Sequence, residues 1–239
     1  MIRVGRRIYT KNGKFIDPEM DGFKQIFVLT KSYKDWWELS PYALKNDKGQ
    51  IMENVWQFSK VYKDVPERTA KYSRYDNRII WQHPAEVHMN EDGTLKPEYW
   101  AWREKGMSAK DAIRYPVGFY HRHNCQYALT ELGGEKLDYV QSRKAIYVPL
   151  YIDLVKKEEK FKKLKKMYED GENLLIIEVD GPHQESIQYY MDKYGVKRDF
   201  FINSTVEVNE ESMKILLNDD KHAFGHGYCL AMALLDINV

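Results

Sequence analysis

Four residues in one short stretch carry the strongest chemical signal in this chain. Glu53, Trp56, Gln57 and Lys60 stand at i, i+3, i+4 and i+7. That spacing puts a carboxylate, an indole, a carboxamide and an ammonium on one face of a helix. Ile51, Val55, Phe58 and Tyr62 form a separate apolar stripe, which predicts a helix from Met52 to about Tyr62. A solvated helix face can carry such a mixture by chance, but a large indole is seldom left there uncovered.

A second acidic pair ends the run Leu174-Leu175-Ile176-Ile177-Glu178-Val179-Asp180, which Gly181-Pro182 stops. The run has the pattern of a buried strand. Alternation would set Glu178 and Asp180 on the same side, where neighbouring carboxylates can divide acid and base roles. A capping or ion-paired Asp180 is the plain alternative. Among the seven histidines, His222 and His226 are four apart and His121 and His123 two apart. Gly225 interrupts the first pair, and neither H-E-x-x-H nor a cysteine pair at ligand spacing occurs, so no metal site is expected. The G-x-S-x-G, P-loop and G-x-G-x-x-G patterns are also missing.

The elements that must position these residues follow from pattern and punctuation. Residues 1–30 read as β structure, with an Asn12-Gly13 hairpin signal and a β-rich run over Gln25–Thr30. Turn chemistry marks Asn46–Gly49 and Asn90–Gly93, and residues 64–100 read as long loop with short elements. Ser108 with Asp111 has the form of a capping box, predicting a helix Ala109–Tyr115 ended by Pro116. After Gly133-Gly134 a long helical stretch, Leu137–Tyr168, is expected, which Pro149 must kink or divide. Its lysine-rich tail, Lys156–Lys166, reads as a solvated face, with nucleic-acid contact the alternative. Short helices are expected at Glu185–Tyr194, Glu210–Leu217 and Gly225–Leu235. No repeat, linker or composition shift marks a boundary, so the expectation is one α+β domain, helix-dominant, with a small β-sheet.

The bulk composition narrows the function classes. The chain has 239 residues, 31% charged and 43% hydrophobic, enough for a sizeable core. Lys+Arg of 37 against Asp+Glu of 36 leaves no global charge for nucleic acid, so any such contact needs a local patch. Cys125 and Cys229 are too few for a disulfide framework and suggest a reducing compartment. Met1–Thr10 carries Arg3, Arg6 and Arg7 without an apolar stretch, and no run approaches the roughly 18–20 apolar residues of a membrane span. A soluble, cytoplasmic protein is expected. The 18 Tyr and 6 Trp are read mainly as packing, with some available to line a pocket for a flat base.

Five segments in order resemble the motifs of the NADAR (YbiA-like) N-glycosidase family. Leu39-Ser40-Pro41-Tyr42, followed by Gly49-x-x-x-Glu53-x-x-x-Gln57-x-x-Lys60, resembles its opening loop and V-E-H-x-x-Q-x-x-K helix. Ser108 to Arg114 resembles its T-P-x-E-A-K-R-L-G segment. Leu137-Asp138-Tyr139 through Leu150-Tyr151, then Phe161 and Leu164, resembles its D-W-x-x-x-K-x-x-x-M helix and the helix that follows. Leu174 to Asp180 resembles its L-V-E-A-S-x-x-D strand, and Gly225 to Leu235 its final helix. The likeness spans most of residues 36–235, which makes 36–239 a family-like core and 1–35 an N-terminal β extension. The chain departs at Asn54, where the family has His, at Tyr139, where Trp is usual, and at Asp180-Gly181-Pro182-His183-Gln184 with an insertion through residue 209.

The resemblance implies a YbiA-like fold and hydrolysis of an N-glycosidic bond without a cofactor. The implied substrates are ADP-ribose on a guanine base, in a nucleotide, DNA or RNA, or a ribosylamino nucleotide. Glu53 is the expected catalytic carboxylate and Asp180 its helper. Gln57 and Lys60 would hold ribose hydroxyls or phosphate, and Trp56 would stack on the substrate or wall the pocket. Ser40, Arg114, Glu178 and His226 complete the expected substrate-binding set. The rival from another class is a non-catalytic module binding ADP-ribose or a nucleotide in the same pocket. No membrane contact is expected, and no protein partner is indicated.

Overall fold

The apolar run Leu174–Ile177 does form a strand, Asn173–Glu178, and every residue of it from Leu174 onward is buried. The computed structural model describes residues 1–29, 35–73, 77–115, 123–131 and 134–238. It divides into two compact units, Met1–Ser40 with Tyr151–Val239, and Pro41–Leu150.

In the first unit the buried strand lies between two parallel neighbours, Ile2–Arg6 and Phe23–Phe27. The five-stranded order is Phe201–Ile202, Thr205–Glu207, Ile2–Arg6, Asn173–Glu178, Phe23–Phe27, and the first two pairings are antiparallel. A strand paired on both sides and covered on its faces needs a continuous apolar sequence. Helix His226–Leu235 supplies cover; it is buried from His226 through Leu234, as its apolar sequence requires. Ile2–Arg6, expected in an N-terminal extension, is thus an interior strand of this sheet. The strand expected at Gln25–Thr30 runs over Phe23–Phe27, and Thr30 lies outside the described residues. The Asn12-Gly13 hairpin forms as expected, pairing Ile8–Tyr9 with Phe15–Ile16 and holding Gly13 at φ 74°.

The expected helix at Glu185–Tyr194 starts as a 3-10 turn, Gln184–Ser186, and continues as Ile187–Tyr194. Glu210–Leu217 matches its expected span, and Asn209 with Ser212 forms its capping box. In Glu159–Glu169, Phe161 and Leu164 are buried. The surrounding lysines reach carboxylates instead: Lys156 and Lys165 to Asp236, Lys157 to Asp153, and Lys166 to Asp170.

The second unit corrects several expectations. The helix at Met52 ends at Phe58, four residues early, and Lys60–Tyr62 pairs antiparallel with Cys125–Ala128. Val61 and Tyr62 favour strand, and Tyr62 is buried against Tyr115 at 4.9 Å and Trp102 at 6.3 Å between ring centroids. No helix follows Ser108. That residue instead closes a helix at Glu98–Met107, whose first turn fell in the expected loop 64–100 and whose remainder had no expected element, and Ala112–Ile113 pairs with Ile79–Ile80. Gly106 explains the closeness of that helix to its neighbour, since a Cβ there would lie 2.0 Å from the Phe58 ring. Pro116 and Gly133 lie outside the described residues.

The expected single helical stretch Leu137–Tyr168 is four pieces: Tyr139–Ser142, a π turn at Arg143–Tyr147, Val148–Val155 and Glu159–Glu169. Pro149 sits just after the π turn, where the ladder is already widened. The full break comes later, at residues 156–158. Among the described residues the fold mixes helices with one five-stranded and several two-stranded sheets. No described helix is long and apolar enough to cross a membrane.

Candidate functional site

The residues around Glu53 are brought together by a short buried helix. Its first two amides are received by the preceding turn, Met52 N–H by Leu44 O at 2.9 Å and Glu53 N–H by Pro41 O at 2.9 Å. Met52, Glu53, Asn54, Trp56, Gln57 and Phe58 are all buried, so the polar face is not a solvated one. Gln57 Nε2 donates to Glu53 Oε1 at 2.6 Å, and Lys60 Nζ donates to Gln57 Oε1 at 3.0 Å. The same ammonium lies 4.3 Å over the Trp56 ring, within cation–π range. Lys60 joins the group from the start of a strand rather than from the helix. Glu53, Trp56 and Gln57 nevertheless keep 6%, 9% and 9% of their surface exposed.

The array's wall was not anticipated. Tyr147, at the end of the π turn, packs its ring 5.1 Å from Trp56 at a 56° tilt. Trp56 therefore has both the Tyr147 ring and the Lys60 ammonium packed against it. Arg143 opens the same turn almost wholly buried, its guanidinium 4.2 Å over the Tyr139 ring. A π turn is a common device for aiming side chains at a site. Asn54, fully buried, has both ends of its amide engaged. Its Nδ2 donates to Ala109 O and Asp111 O, and its Oδ1 accepts from Ile113 N–H at 2.8 Å. This clamp holds a bend at Lys110–Asp111 that leads into the strand Ala112–Ile113, in place of the helix that Ser108 and Asp111 suggested.

Behind the array lies an aromatic core. His88 Nδ1 accepts the Tyr62 amide at 3.0 Å, and its ring sits 4.1 Å from that of Trp102. Burial, reinforced by the charge of Lys96, pushes the imidazole down to about 4. Burial raises the Tyr62 and Tyr115 hydroxyls well above the usual phenol range. Arg114 is exposed, its backbone amide donating to Ile80 O at 3.0 Å. A groove of about 510 Å³ in this unit is lined by Lys48, Gln50, Trp100 and Arg103 among others, and by none of the four array residues.

In the first unit Glu178 is completely buried and fully engaged. Its Oε1 accepts the amides of Val179 at 2.7 Å and Asp180 at 3.2 Å. Its Oε2 accepts Gly227 N–H at 2.6 Å and lies 3.3 Å from His226 Nδ1. His226 Nε2 reaches Val28 O at 2.8 Å. The strand ends at Glu178 and the chain bends over Val179–Asp180, so the expected alternation stops: Glu178 is interior and Asp180 exposed. Arg6 secures this bend through Val179 O and Gly181 O. Burial lowers the Arg6 guanidinium, opposed by the carboxylates of Asp180, Glu178 and Glu185 and by Tyr228. Gly181 is required here: its φ is 124°, and a Cβ would meet Tyr228 Oη at 2.4 Å.

Ser40 is buried in this unit, its amide donating to Trp37 O at 2.9 Å. His222 and His226 do not share a site; His222 contacts Ser186, Tyr190 and Asp219. His121 lies outside the described residues, and among those described no group of three metal-ligating side chains assembles. Neither Cys125 nor Cys229 is joined in a disulfide. Compared with known proteins, the chain matches no family model, no curated protein and no solved structure.

Proposed function

We propose that this chain is an N-glycosidase that separates a base from a ribose, with Glu53 as the carboxylate that stabilises or hydrates the oxocarbenium-like centre. The substrate class is ADP-ribose on a guanine base or a related ribosylamino nucleotide. The C1′–N bond breaks, the base leaves with the electron pair, and water supplies hydroxyl to C1′ and a proton to the base. A preorganised carboxylate is the group this chemistry needs, because it faces the developing positive charge without reorganising.

The observation that supports this is the relay Lys60–Gln57–Glu53, in which Glu53 and Gln57 are buried on the helix and the half-buried Lys60 reaches Gln57 from the start of the next strand. Gln57 fixes one carboxylate oxygen, Lys60 fixes Gln57, and Trp56 with Tyr147 forms an apolar side to the group. These are the residues of the motif that resembles the NADAR helix. Asn54, standing where that motif has His, is taken up by backbone contacts, so its role in the fold explains the departure.

The experiment is incubation of the protein with ADP-ribosylated guanosine, ADP-ribosylated DNA and ribosylaminopyrimidine phosphates, read by mass spectrometry. Release of free base by the wild type and its loss in Glu53→Gln is the expected result. Saturable binding of the same compounds with no base released would assign a binding module instead.

A further inference from the structure

Ser186, His222 and Asp219 stand in the relation of nucleophile, base and orienting acid. Ser186 Oγ lies 3.2 Å from His222 Nε2, and His222 Nδ1 lies 2.6 Å from Asp219 Oδ2. Asp219 is 1% exposed at its side chain and His222 16%, so the acid is interior and the imidazole reaches the surface. Tyr189 Oη donates to Asp219 Oδ1 at 2.7 Å, Lys221 N–H donates to the same oxygen at 3.0 Å, and Tyr190 Oη donates to Oδ2.

These contacts decide the tautomer. Burial would raise the Asp219 carboxyl, but hydrogen bonds from His222, Tyr190, Tyr189 and the Lys221 amide together hold it well below the usual carboxylate range. An ionised carboxylate only accepts, so Nδ1 of His222 carries the proton and Nε2 presents its lone pair to the Ser186 hydroxyl. The imidazole plane is also fixed, stacked on Tyr190 at 5.5 Å and 24° and edge-on to Tyr189 at 5.5 Å.

Ser186 is the last residue of the 3-10 turn Gln184–Ser186 and leads with helical backbone, φ -78° and ψ -4°, into the helix Ile187–Tyr194. Its hydroxyl makes no capping hydrogen bond and lies against the imidazole of His222. His183, three residues earlier, keeps a buried Nδ1 with no hydrogen-bond partner among the described residues.

From this geometry we propose that Ser186 is an acyl-accepting nucleophile, with His222 as its general base and Asp219 as the residue that positions His222, acting on small carboxylic esters. His222 Nε2 takes the hydroxyl proton as Ser186 Oγ bonds to the ester carbonyl carbon. The C–O bond to the alcohol then breaks, and the alcohol leaves with the proton from His222. Water, deprotonated by the same nitrogen, attacks the acyl-serine; the acid departs and Ser186 regains its proton. The activity is independent of the glycosidase proposal, since it uses none of the Glu53 array.

The test is labelling of the full chain with a fluorophosphonate, which bonds phosphorus to an activated serine oxygen and expels fluoride. Peptide mapping should find one adduct, on Ser186. Hydrolysis of 4-nitrophenyl butyrate should show a burst approaching one equivalent of 4-nitrophenolate, and Ser186→Ala should lose both signals without a change in melting temperature. His222→Gln should slow labelling by on the order of a hundredfold or more. A folded wild-type protein that gives no adduct on Ser186, or one labelled equally fast in His222→Gln, overturns the proposal.

Discussion

Two buried glutamates in this protein are held in opposite ways. Glu178, at the end of the central strand, accepts three backbone amides and faces His226, with no surface exposed. Glu53 accepts from a neighbouring side chain, Gln57, which Lys60 steadies in turn, and keeps a narrow exposed edge. Backbone donors cannot turn away from a carboxylate without the fold moving, whereas side-chain donors can exchange it for a ligand. The difference teaches that burial of an acid does not by itself identify a catalytic group. The kind of partner separates an acid that ties elements together from one available for chemistry.

The largest expected effect lies on the Glu178 side. Glu178→Gln would set an amide donor against the donors of Gly227 or of Val179 and Asp180, and should cost about 2–4 kcal/mol of stability. Gly225→Ala should destabilise by a similar route, because its Cβ would lie 2.5 Å from the Glu178 carboxyl. Denaturant titration of both single variants and the double should give strongly non-additive losses. Additive losses would mean that Gly225 and Glu178 do not act as one joint.

Next comes the acid side of the pH–stability profile, where the aromatic core behind the array dominates. The folded His88 sits at about 4 against an ordinary 6.5, so the unfolded chain binds the proton first. Stability should be complete above about pH 6.5 and fall as pH drops toward 4, by on the order of 3 kcal/mol. His88→Gln should flatten that slope in urea midpoints measured across this range. An unchanged slope would place the sensitivity elsewhere.

A small effect is expected at Asp236, whose exposed carboxylate meets Lys156 and Lys165. Its hydrogen bonds to those lysines hold it down to about 2. The contribution is present above pH 3.8 and is lost as pH falls through about 2. Asp236→Asn should change stability at neutral pH by no more than about 0.5 kcal/mol. A thermal melt that drops by many degrees would show that this surface pair matters more than the exposed-pair rule allows.

Much of this arrangement was legible in the sequence, and what was missed has a consistent cause. The continuous apolar run at 174–177, the Asn12-Gly13 hairpin and the helices at 210–217 and 226–235 announce themselves because local pattern and tertiary demand agree. The grouping of Glu53, Trp56, Gln57 and Lys60 could be read from spacing even though the helix stops short of Lys60. Side chains from the next strand still reach the same side. The failures occur where distant residues overrule local signals. Asn54 holds the segment after Ser108 as a bend and short strand instead of a helix. Arg6 and Gly181 bend the chain after Glu178, so that Asp180 does not line up beside it. The π turn that presents Tyr147 and Arg143 has no sequence pattern, although Pro149 just after it is a hint of a widened ladder. Ser186, Asp219 and His222 are separated by more than thirty residues between the first and the others, and only the folded chain brings them together.

The central claim is that Glu53 is the working acid of the pair, and base release by Glu53→Gln tests it most directly. Single-turnover cleavage of ADP-ribosylated guanosine should fall by on the order of a hundredfold or more, with the melting temperature within a few degrees of wild type. Full cleavage by a correctly folded Glu53→Gln protein would contradict the account.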